Sequence, residues 1–161
     1  MVRIVVGVDG STSAKTALRW ALDEARLRGA SLRVVYSWKM PIYVGNGFAP
    51  VSIPDPDEFR QVAAQRLDAI VYEVTAGATD VRIEQKTVEG AAAEVLVDES
   101  EGADLLVVGS RGHGGFAGLL LGSVSQQCAT HASCPVVIVH GAAARAGGGR
   151  ATPVGAGSPT S

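Results

Sequence analysis

Glycine and serine residues at a characteristic spacing form the part of this sequence best suited to binding an anion. Gly109-Ser110-Arg111-Gly112 is followed, after nine further residues, by Gly122-Ser123. Glycine lacks a Cβ atom, so the chain can adopt positive φ and approach a ligand closely. Backbone N–H groups at the start of the following helix then offer donors to anionic oxygens. The spacing predicts a phosphate-binding loop, and a nucleotide site is the leading interpretation.

Known phosphate-binding and catalytic motifs do not fit this loop. It has no Gly-Lys-Ser/Thr ending, so it is not a Walker A motif, and its glycines lack the spacing of a Rossmann fingerprint. No Gly-x-Ser-x-Gly elbow occurs, and no serine is accompanied by a credible histidine and aspartate pair. These absences weaken enzyme interpretations, and we predict no catalytic residue.

Short apolar runs predict the strands that must position the loop. They alternate with helical periodicity, which favours an α/β fold with an open, five-stranded parallel sheet and helices on both faces. The predicted strands are Arg3–Asp9, Ser31–Trp38, Val81–Val88, Ala103–Val108 and Pro135–Val139.

Helical spacing of small and apolar residues predicts the connecting helices. The first has a stripe of alanines and leucines from Ala14 to Ala25 and a stop at Gly29. The second follows a loop over residues 39–57 and runs from a cap at Asp55 or Asp57 to about Thr75. Its predicted stripe is Phe59, Val62, Ala63, Ile70 and Val74. Shorter helices are predicted from Gly90 to about Ser100 and from Gly122 to about Ala132.

The predicted topology places the loop opposite the end of the first strand. Ligands of parallel sheets bind at the carboxyl ends of the strands, where the strand order reverses. If the first and fourth strands flank that point, Asp9 lies beside Gly109. Both segments would then face one crevice.

Composition limits the classes of function. The chain has 161 residues, 47% hydrophobic and 19% charged, and a net charge of −2. These values indicate one globular domain with no general attraction to nucleic acid or an anionic membrane. No transmembrane run or signal peptide is recognised, which predicts a cytoplasmic protein. The domain is expected to span residues 1–141, with a flexible tail over residues 142–161 that is rich in glycine, alanine and proline.

Two cysteines leave a minor alternative. Cys128 and Cys134 could form a redox pair or, with His131, bind a metal. The absence of a CxxC pair or a second ligand cluster favours buried thiols in a reducing compartment. We therefore predict no metal site.

Taken in order, these segments resemble the universal stress protein family over about residues 2–140. The glycine pattern between two apolar strands is the most specific part of the resemblance. The matching segments are Ile4–Ser11, Val88–Gly90, Asp104–Gly112, Leu119–Ser125 and Cys134–Val139. The resemblance implies strand order 3-2-1-4-5, ATP binding by the subgroup with this glycine pattern, and a role in stress adaptation. It also implies homodimers formed by antiparallel pairing of the last strands, Pro135–Val139 here.

The resemblance also implies roles for individual residues. Asp9 would hydrogen-bond the nucleoside, with Gly7 and Val8 lining its pocket, and Ser37 would offer its backbone to the adenine edge. The remaining implied ATP-binding residues, at the ribose and phosphates, are Gly109, Arg111, Gly112, Gly122, Ser123, Val124 and Ser125.

Several of these assignments have structural alternatives. Asp9 could instead cap the first helix, although Ser11 could do so too, and the two serines of the last helix could be plain caps. Arg111 could reach a phosphate or remain solvated. His113 is interpreted as a surface residue rather than a general base.

The sequence thus predicts a cytoplasmic, homodimeric, ATP-binding regulator of a stress response, with Mg²⁺ accompanying ATP and at most slow hydrolysis. Its regulatory protein partners are unidentified, and neither nucleic acid nor membrane is expected as a partner. One alternative is a dimeric interaction module that needs no nucleotide. A less favoured alternative is an ATP pyrophosphatase-type enzyme. The segment Asp9–Ser13 resembles the phosphate loop of that family only loosely.

Overall fold

Strands and helices alternate along the chain in the computed structural model, which describes residues 1–41, 55–112 and 120–141. Each predicted element is present, with small shifts at its ends. The elements are β1 (Arg3–Val8), α1 (Thr12–Arg28), β2 (Ser31–Trp38), α2 (Pro56–Thr75), β3 (Ile83–Glu89), α3 (Ala92–Ser100), β4 (Leu105–Gly109), α4 (Ser123–His131) and β5 (Val136–Val139). The predicted tail, most of the loop before α2, and His113 lie outside the described residues.

The strands form one parallel sheet in the order β3-β2-β1-β4-β5, as predicted. The chain passes outward from β1 to β3 and then returns to the other side of β1 to form β4 and β5. The order therefore reverses between β1 and β4. Because β1 pairs with β2 only as far as Val8 opposite Tyr36, the last residues of β2 extend beyond the end of β1.

Two apolar layers cover the faces of the sheet, because successive strand residues point to opposite sides. Ile4 and Val6 of β1 pack with α1 and α2 on one face, whereas Val5 packs with Val95 of α3 and Cys128 of α4 on the other. The prediction of helices on both faces is confirmed. In the described ranges, no helix is both long and apolar enough to cross a membrane.

Side chains at the ends of α1 and α2 explain where these helices begin. Ser11 caps α1, since its Oγ accepts the N–H of Ala14 at 3.2 Å, and Gly29 ends the helix with φ 60°. Asp55 caps α2 by accepting the N–H of Asp57 at 2.9 Å. Both caps were among the predicted candidates.

The buried stripe of α2 differs from the predicted one at Val62, which is 45% exposed. Leu67 and Val71 are buried instead, in line with Ala63 at spacings of four and eight residues. At 3.6 residues per turn the buried residues of α2 span an arc of about 140°, and Val62 lies about 80° outside that arc, so it faces solvent.

The cysteines are free thiols on the face covered by α3 and α4. Burial raises the pKa of Cys128 to about 11 and also raises the pKa of the half-buried Cys134. A thiol with a raised pKa is a poor nucleophile and a poor metal ligand at neutral pH. Within residues 1–41, 55–112 and 120–141, no group of histidine, cysteine and carboxylate side chains is arranged to hold a metal ion.

Candidate functional site

A cavity of about 500 Å³ opens at the carboxyl ends of β1, β2 and β4, where the strand order reverses. This volume lies within the usual range for small-molecule sites. The structure brings all the predicted site residues to this one cavity: Gly7, Val8, Asp9, Ser37, Gly109, Arg111, Gly112, Gly122, Ser123, Val124 and Ser125. Their contacts with a ligand stay a prediction.

Apolar side chains that were not predicted complete one side of the cavity. They come from the starts of α1 and α3, from the middle of α3, and from β2 and β4. These residues are Ala14, Val35, Ala92, Leu96 and Val108. Such a surface suits an uncharged, flat ring system.

Leu96 also explains why β1 carries a glycine near its end. A Cβ atom on Gly7 would lie 2.6 Å from Leu96 Cδ1, which is closer than real Cβ contacts allow. Gly7 therefore lets α3 pack close to the sheet and places Leu96 in the cavity wall.

Asp9 follows β1 and lies in the cavity, as predicted. Its Oδ1 accepts the N–H of Ser11 at 2.9 Å, while the Ser11 hydroxyl caps α1. The Asp9 side chain therefore orders the β1–α1 turn and is not the helix cap. Gly112 approaches from the other segment, and a Cβ atom there would lie 3.0 Å from Asp9 Oδ2. The two segments face each other across the cavity.

Gly109, Gly112 and Gly122 do not adopt positive φ, so the prediction that the motif uses glycine for this conformation is wrong. Among the described residues, positive φ occurs at other glycines, including Gly10 at 82° in the β1–α1 turn. Gly109 is needed for close packing instead. A Cβ atom on it would lie 2.6 Å from Ser13 Oγ and 2.8 Å from the Ser13 carbonyl carbon.

Ser110 is buried and joins three segments through its main chain. Its N–H donates to Val139 O of β5 at 2.9 Å, and its carbonyl accepts the N–H of Gly122 at 2.7 Å. Ser125 is also buried, with its hydroxyl 2.9 Å from Gly122 O and 3.3 Å from Ser110 O. Sequence reasoning assigned no role to Ser110, since a main-chain role leaves little trace in residue type.

The start of α4 supplies the part of the cavity suited to an anion. Gly122 is its N-cap, and no side chain caps the helix. The first-turn N–H groups of Ser123 and Val124 have no acceptor within the helix, and the positive end of the helix dipole lies here. Among the cavity residues that the structure describes, Asp9 and Arg111 are the only titratable ones.

Comparison with known proteins links this arrangement to one family. A model of the universal stress protein family matches residues 1–140. A universal stress protein of Mycobacterium tuberculosis is 38% identical over 142 residues, which cover 86% of this chain and 48% of that protein. The chain spans about half the length of the curated relatives it matches.

Two solved structures resemble the fold and were determined with a nucleotide. A universal stress protein in complex with cAMP is 31% identical, has a TM-score of 0.65, and is matched over 88% of this chain and 98% of that one. The universal stress protein from Archaeoglobus fulgidus in complex with dAMP is 25% identical with a TM-score of 0.60, over 86% of this chain and 98% of that one.

The glycines of the cavity are expected to differ in what they do for stability. Gly109→Ala forces a methyl group against the α1 backbone and is expected to lower the free energy of unfolding by about 1–3 kcal/mol. Gly122→Ala places its methyl group 3.5 Å from Ser110 O, an ordinary contact, and should lower that free energy only by the poorer N-cap preference of alanine, about 0.5–1 kcal/mol. Urea denaturation of both variants measures the difference. Equal losses in the two variants would contradict this account of the packing.

Proposed function

The chain belongs to the universal stress protein family, and we propose that it binds an adenine nucleotide, ATP with Mg²⁺, in the cavity at the reversal of strand order. The observation that carries the proposal is the pairing of apolar walls with an uncapped helix start in one cavity. The cAMP and dAMP complexes of its relatives support an adenine ligand. The preference for ATP rests on the glycine spacing.

The apolar side of the cavity fits a nucleobase. Val35, Leu96 and Val108 offer aliphatic surface to the faces of a ring. Ser37 lies where β2 runs past the end of β1, so main-chain groups on that side of β2 no longer have β1 as a partner. An exposed strand backbone can read the hydrogen-bonding edge of adenine, and Asp9 is placed to accept from a ribose hydroxyl.

The start of α4 fits the phosphates. No contact within the described part of the protein excludes a side chain at Gly122, because a Cβ atom there would make only ordinary contacts and its φ is −74°, although glycine also suits the N-cap position of α4. A ligand lying against the backbone would require it. Phosphate oxygens would accept from the first-turn N–H groups and the Ser123 hydroxyl, with Arg111 at the rim.

Mg²⁺ would enter with the nucleotide. Mg²⁺ commonly binds through substrate phosphates, water and one or two carboxylates. Asp9 is the one carboxylate among the described cavity residues, which fits an ion held chiefly by ATP itself. Such an ion neutralises phosphate charge.

We assign the bound nucleotide a regulatory role in a cytoplasmic stress response, not rapid turnover. Asp9 already accepts a backbone N–H, and Arg111 cannot act as a base at neutral pH. The described lining therefore offers no group well suited to activating water. A homodimer formed through β5 would present the nucleotide state to protein partners, without nucleic acid or membrane.

Nucleotide binding is tested by isothermal titration calorimetry with ATP and Mg²⁺, and with AMP. The full chain is expected to bind both, and Gly122→Val should weaken binding at least about tenfold by filling the space beside the α4 N–H groups. Gly141→Val is the matched control, because a Cβ atom on Gly141 would have nothing within 4 Å of it and the residue lies outside the cavity.

Failure of the unchanged chain to bind either nucleotide would reject the proposal. A chain that pairs through β5 and acts on partners without nucleotide would instead be an interaction module. Equal affinities of the Gly122→Val and Gly141→Val variants would show that nucleotide binds elsewhere.

Turnover of ATP is expected to be at least about a thousandfold slower than the ~10 s⁻¹ typical of enzymes, because the described cavity residues include no suitable base. Chromatography of the nucleotides after incubation with a large excess of ATP measures it. Rapid formation of ADP would assign an ATPase, whereas AMP with pyrophosphate would favour the pyrophosphatase-type alternative.

Dimerisation through β5 is tested by sedimentation velocity over a range of concentrations. All residues of β5 are half-buried at the edge of the sheet, so a second copy could extend it. Ile138→Lys should shift the chain to a monomer by placing a charge at the edge strand, with some loss of stability because Ile138 also packs against the cluster of Leu96 and Val108. Circular dichroism checks that the variant is folded. A dimer of unchanged stability would place the interface elsewhere.

A further inference from the structure

A second cavity, of about 330 Å³, lies at the opposite end of the sheet from the first. It is lined by three arginines at or near the starts of β1, β2 and β3, namely Arg3, Arg33 and Arg82, together with Met1, Ser31, Glu84 and Gly102. The six residues of β1 separate the two ends by about 20 Å at a rise of ~3.3 Å per residue. This cavity is therefore separate from the proposed nucleotide site.

Arg33 is the structural member of the three. Its guanidinium is 3.1 Å from Glu84 Oε2 and 2.9 Å from Glu99 Oε2, and Glu99 also binds Lys86 at 2.6 Å. These contacts fix Arg33 between β3 and α3. Its charge is already matched.

Arg3 and Arg82 are different, because neither guanidinium forms an ion pair within the described ranges. Arg3 Nη2 donates to the carbonyl of Glu101 at 3.2 Å, while its Nε is buried with no hydrogen-bond partner among the described residues. The nearby Asp104 carboxylate accepts the backbone N–H of Arg3 at 2.8 Å instead. Because this Nε is closed off from solvent, an anion in the cavity would bind the remaining N–H groups of the Arg3 guanidinium.

Gly102 leaves room for the Arg3 guanidinium. A Cβ atom on Gly102 would lie 3.2 Å from Arg3 Nη2, and the residue has φ 66°, which favours glycine. The hydrogen bond to the carbonyl of Glu101 holds the Arg3 guanidinium beside the cavity, and the absence of a side chain at Gly102 leaves space for it.

The local charge is suited to an anion with two negative charges. Arg3, Arg33 and Arg82 line the cavity together with one carboxylate, Glu84. Glu84 and Glu99 pair with Arg33, and the Asp104 carboxylate binds the Arg3 backbone, so the guanidinium groups of Arg3 and Arg82 form no ion pair within the described residues. Guanidinium groups bind oxyanions through paired N–H donors. We propose that this cavity binds a small dianionic oxyanion of the phosphate type, held by Arg3 and Arg82. The proposal does not depend on nucleotide binding in the first cavity.

The test is a titration of the ¹⁵N-labelled full chain with inorganic phosphate, followed by two-dimensional NMR at constant ionic strength set with sodium chloride. Saturable shifts are expected at the amides of Arg3, Ser31, Arg82 and Gly102. Arg82→Gln should weaken binding at least about tenfold, since a charge-assisted hydrogen bond is lost. It should fold normally, because the Arg82 guanidinium makes no hydrogen bond within the described residues.

Arg19→Gln is the matched control, since Arg19 is an exposed arginine on α1 far from this cavity in the fold. Equal phosphate affinities of the two variants, or equal shifts with chloride alone, would overturn the proposal and indicate general screening. Shifts confined to residues 109–112 and 122–125 would also overturn it, because phosphate would then occupy only the first cavity.

Discussion

The packing of the end of β4 against the start of α1 is the constraint on which the candidate site depends. Gly109 lies so close to Ser13 that it cannot carry a side chain, and the next residue, Ser110, holds β5 and the start of α4 through its main chain. Arg111 N–H adds a contact to Ser13 Oγ at 3.4 Å. Because backbone groups and short polar side chains make these contacts, the main chain sets the shape of the cavity on the side of β4 and the start of α4, whereas side chains form its apolar side.

The two ends of the sheet are built to attract anions by different means. At the carboxyl ends, neutral N–H groups at the start of α4 and the helix dipole provide most of the attraction, with Arg111 at the rim. At the amino ends, the attraction comes from the full charges of Arg3 and Arg82. Interactions between exposed full charges weaken as salt increases, whereas hydrogen bonds from neutral amides depend less on salt. The net charge of −2 for the whole chain conceals this local contrast.

The sequence predicted the sheet well, because buried parallel strands such as Arg3–Val8 appear as nearly continuous apolar runs. The sequence also predicted the loop residues of the first cavity, because the glycines and Asp9 lie directly after predicted strands or at the start of a predicted helix. The sequence did not show that the side chains of Val35 and Leu96 line the cavity, because this depends on strand register and helix packing. It also placed Val62 in the buried stripe of α2, although the residue is exposed. The sequence predicted that Gly109 serves by positive φ, whereas it is needed for close packing against Ser13. A sequence does not show which neighbour occupies the space where a side chain would lie. Arg3 and Arg82 are distant along the chain, and only the pairing of the strands brings them together.

The hydrogen bond from Gly122 N–H to Ser110 O has a consequence for how this protein can change over time. The bond joins the two ends of the chain segment between these residues. The entropic cost of bringing the ends of a segment together rises only slowly with its length. Insertions or exchanges between the two anchor residues should therefore cost little folding free energy. A protein built in this way can change the length and charge of this segment while the hydrogen bond that joins its two ends stays as it is.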